Sequence, residues 1–353
     1  MAYSGTTGTT VISVQTLIDH GARRCGKLAE ELTSEQVLSA RESLFFLLSN
    51  LINIGIQYWA IDKKVYGFSP DRYIYDLPLG GNDVLNALYR WMNRPEGGYT
   101  TSAGGTIGNV YDGNVDTICT QTSPNGNIAI NYGPSNPIFI GSIGMLPAAS
   151  GTWSLIYEYS QDNITWNTLI DLGTVVVVNN EWIWTDIVNG QTVPYYRLRA
   201  YGGTTLSIRE LYFGNNSTEI TMSRLNRDDY TNLPNKDFTA NQPFQYWFNR
   251  TIPQSKIYLW PTPQNAFYQM TIWYSRQIMD VGDLYGELEV PQRWYEAVVM
   301  MLAHRMSLEL PAVDLQRVQY LEAQATKYLG MAEEEERDKS PIYFAPAIAC
   351  YTR

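Results

Sequence analysis

The sequence predicts an α+β protein: a helical base with a small antiparallel aromatic meander, and an all-β sandwich inserted into it. Three observations predict this. Aromatic residues alternate through residues 244–274, apolar residues recur at helical spacing near both ends of the chain, and helical periodicity disappears between about 97 and 216. The expected layout is a discontinuous base, 1–96 and 217–353, around an insertion, 97–216.

In chain order, residues 11–31 read as a first helix whose apolar face includes Val14, Leu17, Ile18 and Leu28. Thr33-Ser34-Glu35-Gln36 fits a capping box, in which the Thr hydroxyl and the Gln side chain each satisfy an orphan amide. Val37, Ala40, Leu44, Leu47, Leu48, Leu51 and Ile54 follow at helical spacing, and Phe45, Phe46 and Ile52 lie off that stripe. A helix apolar nearly all round is buried all round. It either packs against a neighbouring subunit as well as its own core, or is a central core helix. Residues 71–78 look like a strand ending in a turn at Gly80-Gly81, after which Asp83 would cap a short helix over 84–94. The insertion is rich in Gly, Asn and Thr and reads as a series of short strands.

The meander reads as three consecutive strands. Phe244, Tyr246 and Phe248 alternate with polar or amphipathic neighbours, as do Ile257 and Leu259, and then Tyr268, Met270, Ile272 and Tyr274. Pro261 and Pro263 cannot donate ladder hydrogen bonds, so they belong in a turn. Pro291 stands where a proline at the first helical position would stand, and Trp294, Ala297, Val298, Met301 and Leu302 then form one face. Pro311 ends that helix or starts the next, whose face is Leu315, Val318, Leu321, Ala325, Tyr328 and Leu329. This last helix runs into Glu333-Glu334-Glu335-Glu336, four carboxylates that oppose the helix dipole. A basic partner surface would offset them; the alternative is a frayed, solvated end. Residues 342–348 are apolar, but Pro341 and Pro346 forbid a regular helix. That segment is either an extended arm on a neighbour or packed back locally.

Composition narrows the function. Hydrophobic residues make up 44% of the 353-residue chain and charged residues only 17%, with 26 Tyr and 10 Trp. That argues against disorder and for surface hidden by partners, because aromatics are enriched at interfaces. The formal net charge of −10 disfavours tight binding to a nucleic-acid backbone, whereas an acidic channel would let DNA slide past. Cys25, Cys119 and Cys350 are odd in number and lack metal spacing, so free thiols made in a reducing compartment are expected. The first ten residues carry no signal-peptide pattern. The apolar run over 44–56 is broken by Ser49, Asn50 and Asn53, short of the roughly 18 residues of a membrane span.

Catalysis is not expected. The two histidines, His20 and His304, lie apart, and no nucleophile elbow, phosphate loop, zinc-protease or dinucleotide fingerprint appears. Asp112, Asn114 and Asp116 alternate oxygen ligands in a Gly-containing loop and could hold a structural cation; the alternative is a plain Asx-type turn. No cofactor is expected beyond that ion. Trp182 and Trp184 alternate on one strand, so both could face the core.

Two resemblances add to this reading. The order Ser223-Arg224-Leu225-Asn226-Arg227-Asp228-Asp229-Tyr230, Leu233-Pro234-Asn235-Lys236, Gln242-Pro243-Phe244-Gln245-Tyr246-Trp247, Ile257-Tyr258-Leu259-Trp260-Pro261-Thr262-Pro263 and Glu289-Val290-Pro291-Gln292-Arg293-Trp294 resembles the head-to-tail adaptors of short-tailed phages, the tail tubular protein A group. The likeness covers about 10–94 and 217–337. It implies a virion structural protein in the neck or tail, made in the host cytoplasm. It also implies a homo-oligomeric ring of twelve under the portal protein, carrying tail nozzle or fibre proteins, with genomic DNA passing through the lumen. Phe45, Phe46, Trp294, Glu333, Glu334, Glu335, Tyr343 and Phe344 are then candidate oligomer or portal contacts.

In the insertion, Val110-Tyr111-Asp112-Gly113-Asn114-Val115-Asp116-Thr117, Ile128-Ala129-Ile130-Asn131-Tyr132-Gly133, the hairpin segment Tyr157-Glu158-Tyr159-Ser160-Gln161-Asp162-Asn163-Ile164-Thr165-Trp166, Tyr195-Tyr196-Arg197-Leu198-Arg199 and Ile208-Arg209-Glu210-Leu211-Tyr212-Phe213 carry a second likeness. In that order they resemble a discoidin (F5/8 type C) domain, a galactose-binding-like jelly-roll sandwich. Trp166 would then return to the core, and the domain would hold a fibre or touch a host glycan. The competing reading is a carbohydrate-binding module with helical appendages, against which the absent signal peptide and the odd cysteine count speak. A glycan-cleaving tail enzyme is weaker still, for want of an acid/base set.

Overall fold

The computed structural model describes residues 11–54 and 58–336. The chain forms two compact units, Met1–Ile61 with Ser275–Arg353, and Asp62–Tyr274. The strands on both sides of the expected insertion therefore belong to the same unit as the insertion.

Among its described residues the first unit is built on four helices: α1 Val14–Cys25, α2 Ser34–Ile54, α3 Tyr295–Glu309 and α4 Leu315–Glu336. Ser13 caps α1 by accepting the Thr16 amide at 3.2 Å. The helix stops at Cys25, short of the expected residue 31, because Gly26 takes a left-handed φ of 83° and returns its N–H to the Ala22 carbonyl. The capping box forms as expected: the Thr33 amide donates to Gln36 Oε1 at 2.9 Å, and the Gln36 amide to Thr33 Oγ1 at 3.3 Å.

The helix apolar all round is α3, not α2. Ala297, Val298, Val299, Met300, Leu302, Ala303 and Met306 are all buried, which covers every face of α3. Leu17, Ile18, Leu44, Leu51 and Leu321 pack into the same core around the fully buried Trp294. Each such side chain contributes about 1.5–3 kcal/mol by leaving water. Pro291 caps the 3₁₀ turn Gln292–Trp294 that leads into α3, one place earlier than expected. In α4, Leu321 and Ala325 are buried, but Leu315 is exposed. Cys25 and Cys119 are free and buried; Cys350 lies outside the described residues. Among the described residues no helix is long and apolar enough to cross a membrane.

The second unit is mostly antiparallel sheet. Its main strands are β1 Ile61–Gly67, β2 Ile74–Asp76, β3 Gly81–Asn93, β4 Gly98–Thr101, β5 Asn127–Asn131, β6 Ser142–Pro147, β7 Gly151–Ser160, β8 Asn167–Val177, β9 Ile183–Asp186, β10 Tyr195–Tyr201, β11 Ser207–Thr221, β12 Ser223–Leu225, β13 Gln245–Asn249, β14 Lys256–Trp260 and β15 Gln269–Arg276. A seven-stranded sheet runs β1-β15-β3-β11-β6-β9, with the short strand Cys119–Thr120 on β11. A five-stranded sheet runs β8-β7-β10-β5-β4, and a four-stranded sheet β12-β13-β14-β2.

The expected helix over 84–94 is instead the strand β3. Its buried positions, Val84, Ala87, Tyr89 and Met92, face a core that also takes Met270 and Ile272 from β15. Ladder pairing with β11, Tyr89 opposite Ile220, overrides the local helical preference. Asp83 caps nothing; its carboxylate pairs with Arg224 at 2.8 Å and Arg250 at 3.2 Å. The expected strand over 71–78 contracts to β2, since Asp71 sits at a left-handed φ of 62°.

The meander is corrected too. β13 and β14 pair antiparallel, Tyr246 opposite Leu259, but β15 leaves them for the seven-stranded sheet. The proline segment causes this, because Thr262–Pro263 pairs in parallel with Thr239–Ala240 and carries the chain away. Tyr246, Phe248, Ile257 and Leu259 bury one face of the four-stranded sheet. Its other face is clad by Trp247 stacked on Tyr230 at 4.9 Å and packed on Tyr258 at 4.8 Å.

The sandwich core lies between the five-stranded sheet and the β6, β9 and early β11 part of the larger one, around Ile128, Leu155, Tyr157, Leu198 and Phe213. The β7–β8 hairpin turns on Asp162, whose Oδ1 accepts the amides of Ile164 at 2.8 Å and Thr165 at 2.7 Å. Trp166 does not return to the core. It is half-buried on the outer face, with the Arg197 guanidinium 4.1 Å from its ring. The fifteen-residue β11 belongs to two ladders, pairing with β6 through Gly214 and with β3 from Asn215 onward.

Candidate assembly surfaces

On α2, the buried stripe of Ala40, Leu44, Leu47, Leu48 and Leu51 leaves Leu38, Phe45 and Phe46 on the opposite side. Phe46 is 60% exposed and Phe45 37%, with their rings 5.7 Å apart. Of the other expected contact residues, Trp294 is a core residue at 0% exposure. Glu333 is half-buried, Glu334 and Glu335 are exposed, and Tyr343 and Phe344 lie outside the described residues. The end of α4 is neither frayed nor fully solvated. Glu336 is buried and accepts Arg293 Nη2 at 2.6 Å and Trp294 Nε1 at 3.4 Å.

In the sandwich loop that holds Asp112, Asn114 and Asp116, the first two direct their side-chain oxygens to donors of the loop itself. Asp112 Oδ1 accepts the Asn114 amide at 2.8 Å, Asp112 Oδ2 the Thr117 hydroxyl at 2.8 Å, and Asn114 Oδ1 the Asp116 amide at 3.0 Å. Among the described residues no group of three His, Cys, Asp or Glu side chains could hold a metal ion. Beneath this loop lies Glu210, with 0% exposure. It accepts the Gly113 amide at 2.7 Å and Arg94 Nη1 at 3.1 Å. Burial pushes its carboxyl up to about 7, against the opposing pull of Arg94 and the Gly113 amide. Burial also works to raise Asp112, but the Asn114 amide and the Thr117 hydroxyl prevail and hold it below the usual carboxylate range. Arg94 further donates to the carbonyls of Val110 and Leu211 at 2.9 and 2.8 Å. Sequence reading missed this cluster. Its available signal was Glu210, following Arg209, on a strand whose other residues over 208–213 are Ile, Leu, Tyr and Phe.

A second polar knot joins the sandwich to the strands around it. Asp186 on β9 receives Arg90 Nη2 of β3 at 2.8 Å and Lys63 Nζ of β1 at 2.6 Å. Burial raises the Asp186 carboxyl less than these two cations lower it. Trp182 and Trp184 stack at 5.0 Å and meet Phe267 and Tyr212 edge-on at 6.0 and 5.5 Å. Beside them a cleft of about 520 Å³ is lined by residues including Tyr66, Arg72, Tyr75, Glu181 and Trp184. Arg72 and Glu181 are bridged at 3.0 Å.

A family model described as SU10 adaptor protein matches residues 165–347, from the β7–β8 hairpin through the shared strand, the aromatic sheet and the last two helices. The chain belongs to the SU10 adaptor family. No curated protein matches it in sequence. Among solved structures, the CpGH89CBM32-6 module produced by Clostridium perfringens is similar to 34% of this adaptor chain and 94% of its own, at 15% identity and a TM-score of 0.31. The CBM32 of AlyQ, in complex with 4,5-unsaturated mannuronic acid, is similar to 36% of this chain and 98% of its own, at 17% identity and a TM-score of 0.31. CBM62 from Clostridium thermocellum Xyl5A is similar to 35% and 97%, at 19% identity and a TM-score of 0.30.

Proposed function

We propose that this chain is a virion structural protein, the head-to-tail adaptor of a short-tailed phage. Identical subunits close a ring under the portal protein, twelve by resemblance, extend the DNA channel and present a platform to tail nozzle or fibre proteins. The observation that carries this reading is membership of the SU10 adaptor family. The exposed Phe45–Phe46 pair on α2 supports it, since clustered aromatics left exposed among the described residues suit a subunit or portal contact. The net charge of −10 suits a lumen that DNA traverses without sticking. The action is assembly, with no catalytic turnover and no cofactor. Ring closure demands a heterologous contact, in which two different patches of each copy meet.

Phe46→Ser tests this. It removes an exposed side chain, so thermal stability stays within about 0.5 kcal/mol of the parent. Mass by light scattering, with and without portal protein, then shows the parent in a ring and the variant impaired in forming it. A parent chain that remains a lone subunit with portal present overturns the reading.

A second reading, glycan contact by the sandwich, is favoured by the outer-face cluster of Trp166 over Arg197 with Glu158 held by Arg199 Nη2 at 2.9 Å. An aromatic plate beside fixed polar groups suits a sugar ring. A glycan array probed with the whole chain tests it, and binding to no glycan leaves only the docking role.

A further inference from the structure

The two end strands of the seven-stranded sheet, β1 and β9, come back to face each other. Lys63 Nζ reaches Asp186 at 2.6 Å, and four residues further along β1 a Cβ on Gly67 would stand 2.3 Å from Trp182 Cβ. Four residues forward on one strand thus answer four residues back on the other, an antiparallel approach. Yet the two are not neighbours in the sheet order, so this seam is closed by side chains and not by a ladder.

The cleft of about 520 Å³ opens at that seam. Its walls include β1 at 64–67, β2 at Tyr75, β8 at Val175 and Val176, and β9 at Trp184. Each of these four strands is the last in its sheet. Edge strands carry backbone N–H and C=O groups without ladder partners; on β2 the outward carbonyls of Ile74 and Asp76 already accept Arg72 Nε at 3.0 Å and the Tyr66 hydroxyl at 2.8 Å, so the chemistry of strand addition falls to the edges of β1, β8 and β9. The charges that line it balance. Arg72 meets Glu181 at 3.0 Å, and Asp76 meets Lys256 at 2.9 Å, which leaves Lys64 alone without an ion pair among the described cleft residues. Such a cleft suits an occupant without charged side chains.

The chain contains one. Residues 340–352 hold no Asp, Glu, Lys or Arg, and within them Ile342-Tyr343-Phe344-Ala345 is bounded by Pro341 and Pro346. The prolines disfavour helix and stop pairing at either end, so four residues are offered as strand, the same number that β1 presents at 64–67. Seventeen residues follow Glu336, and at about 3.3 Å each they span up to ~55 Å. We propose that the cleft of one copy receives residues 342–345 of a second copy as an added strand. The proposal rests on the ring reading above and names a pair of unlike surfaces that such a ring needs.

The test uses a fluorescent peptide of residues 340–353 and a full-length acceptor carrying Tyr343→Asp and Phe344→Asp, whose own segment is thereby disabled. The expected result is saturable anisotropy with amide-exchange protection confined to 61–67 and 183–186. Adding Val176→Asp, at an exposed cleft residue, weakens binding at least tenfold. Absent binding, protection elsewhere, or indifference to Val176→Asp overturns the proposal. So does cleft protection that appears only when portal protein is added, which would make portal the occupant. Light scattering separates the two ideas. An acceptor that forms rings as well as the parent sinks the strand exchange and spares the ring. A parent that never forms rings sinks the ring, whatever the peptide does.

Discussion

Glu210 carries a carboxyl with no contact to solvent, tied to the Gly113 amide and Arg94 and raised to about 7 from an ordinary 4.5. A group that binds its proton more tightly in the folded chain stabilises that chain most when protonated. Its contribution is complete below about 4.5 and is lost as pH rises through 7. The thermal midpoint is therefore expected to fall between pH 5 and pH 8, since every tenfold gain in proton affinity on folding corresponds to about 1.4 kcal/mol. Glu210→Gln removes that slope. Asp112 and Asp186, both lowered, add nothing in this window, because their stabilisation fails only under more acid conditions. Melting curves across the range check it, and equal slopes in parent and variant refute it. None of this was legible in the sequence, because burial of Glu210 depends on a loop about a hundred residues away. Asp162 was legible, since its role is local: it closes a hairpin on amides two and three residues ahead. Trp166 was misread for the opposite reason. Its place depends on Arg197 of another strand, which holds its ring at the surface.

Among the elements, those fixed by short-range chemistry were the readable ones. The Thr33–Gln36 box and the turn at Gly80 act within a few residues, and both stand where the sequence puts them. β3 was not readable. Its 84–92 segment holds Leu, Ala and Met enough to pass for helix, and only pairing with β11 and shared burial with β15 make it a strand. The third meander strand failed likewise, because alternation says that a strand forms and not which sheet it joins. The end of α4 yields a prediction at this scale. Glu336 is buried against Arg293 and Trp294, whereas Glu334 is exposed. Glu336→Ala is expected to lower stability by about 2 kcal/mol, the range of a charge-assisted hydrogen bond lost from a buried site. Glu334→Ala is expected to stay within about 0.5 kcal/mol. Urea unfolding of the two variants tells them apart, and equal midpoints would mean that the Arg293 contact holds nothing.

For the molecule as a whole, composition located the β-rich stretch over 97–216 but could not show how it is joined. The sandwich shares β11 with the sheet that carries β3, and Asp186 ties it to Arg90 and Lys63. Residues 62–274 are accordingly one compact unit. A chain with residues 97–216 deleted keeps β3 but loses Asn215 and Asn216 of its partner, the polar tie at Asp186, and Trp182 and Trp184 beneath Phe267. Such a chain is expected not to fold, whereas a loop insertion at Asn163 is tolerated, since it lies in the turn of the β7–β8 hairpin. Amide exchange through 62–274 in the intact chain should proceed as one cooperative block. Two blocks with separate rates would show that the sandwich opens by itself.

The strand that crosses both ladders has a mechanical meaning. A pull on the sandwich, as from anything tethered there, travels lengthwise along one strand, bent where the ladders meet by a bulge in which Asn216 takes a left-handed φ of 50°. The hydrogen bonds to its neighbours lie across that direction and are loaded together in shear. That kink takes up part of a tug at the outer end, and the paired strand beyond it passes the rest to β3.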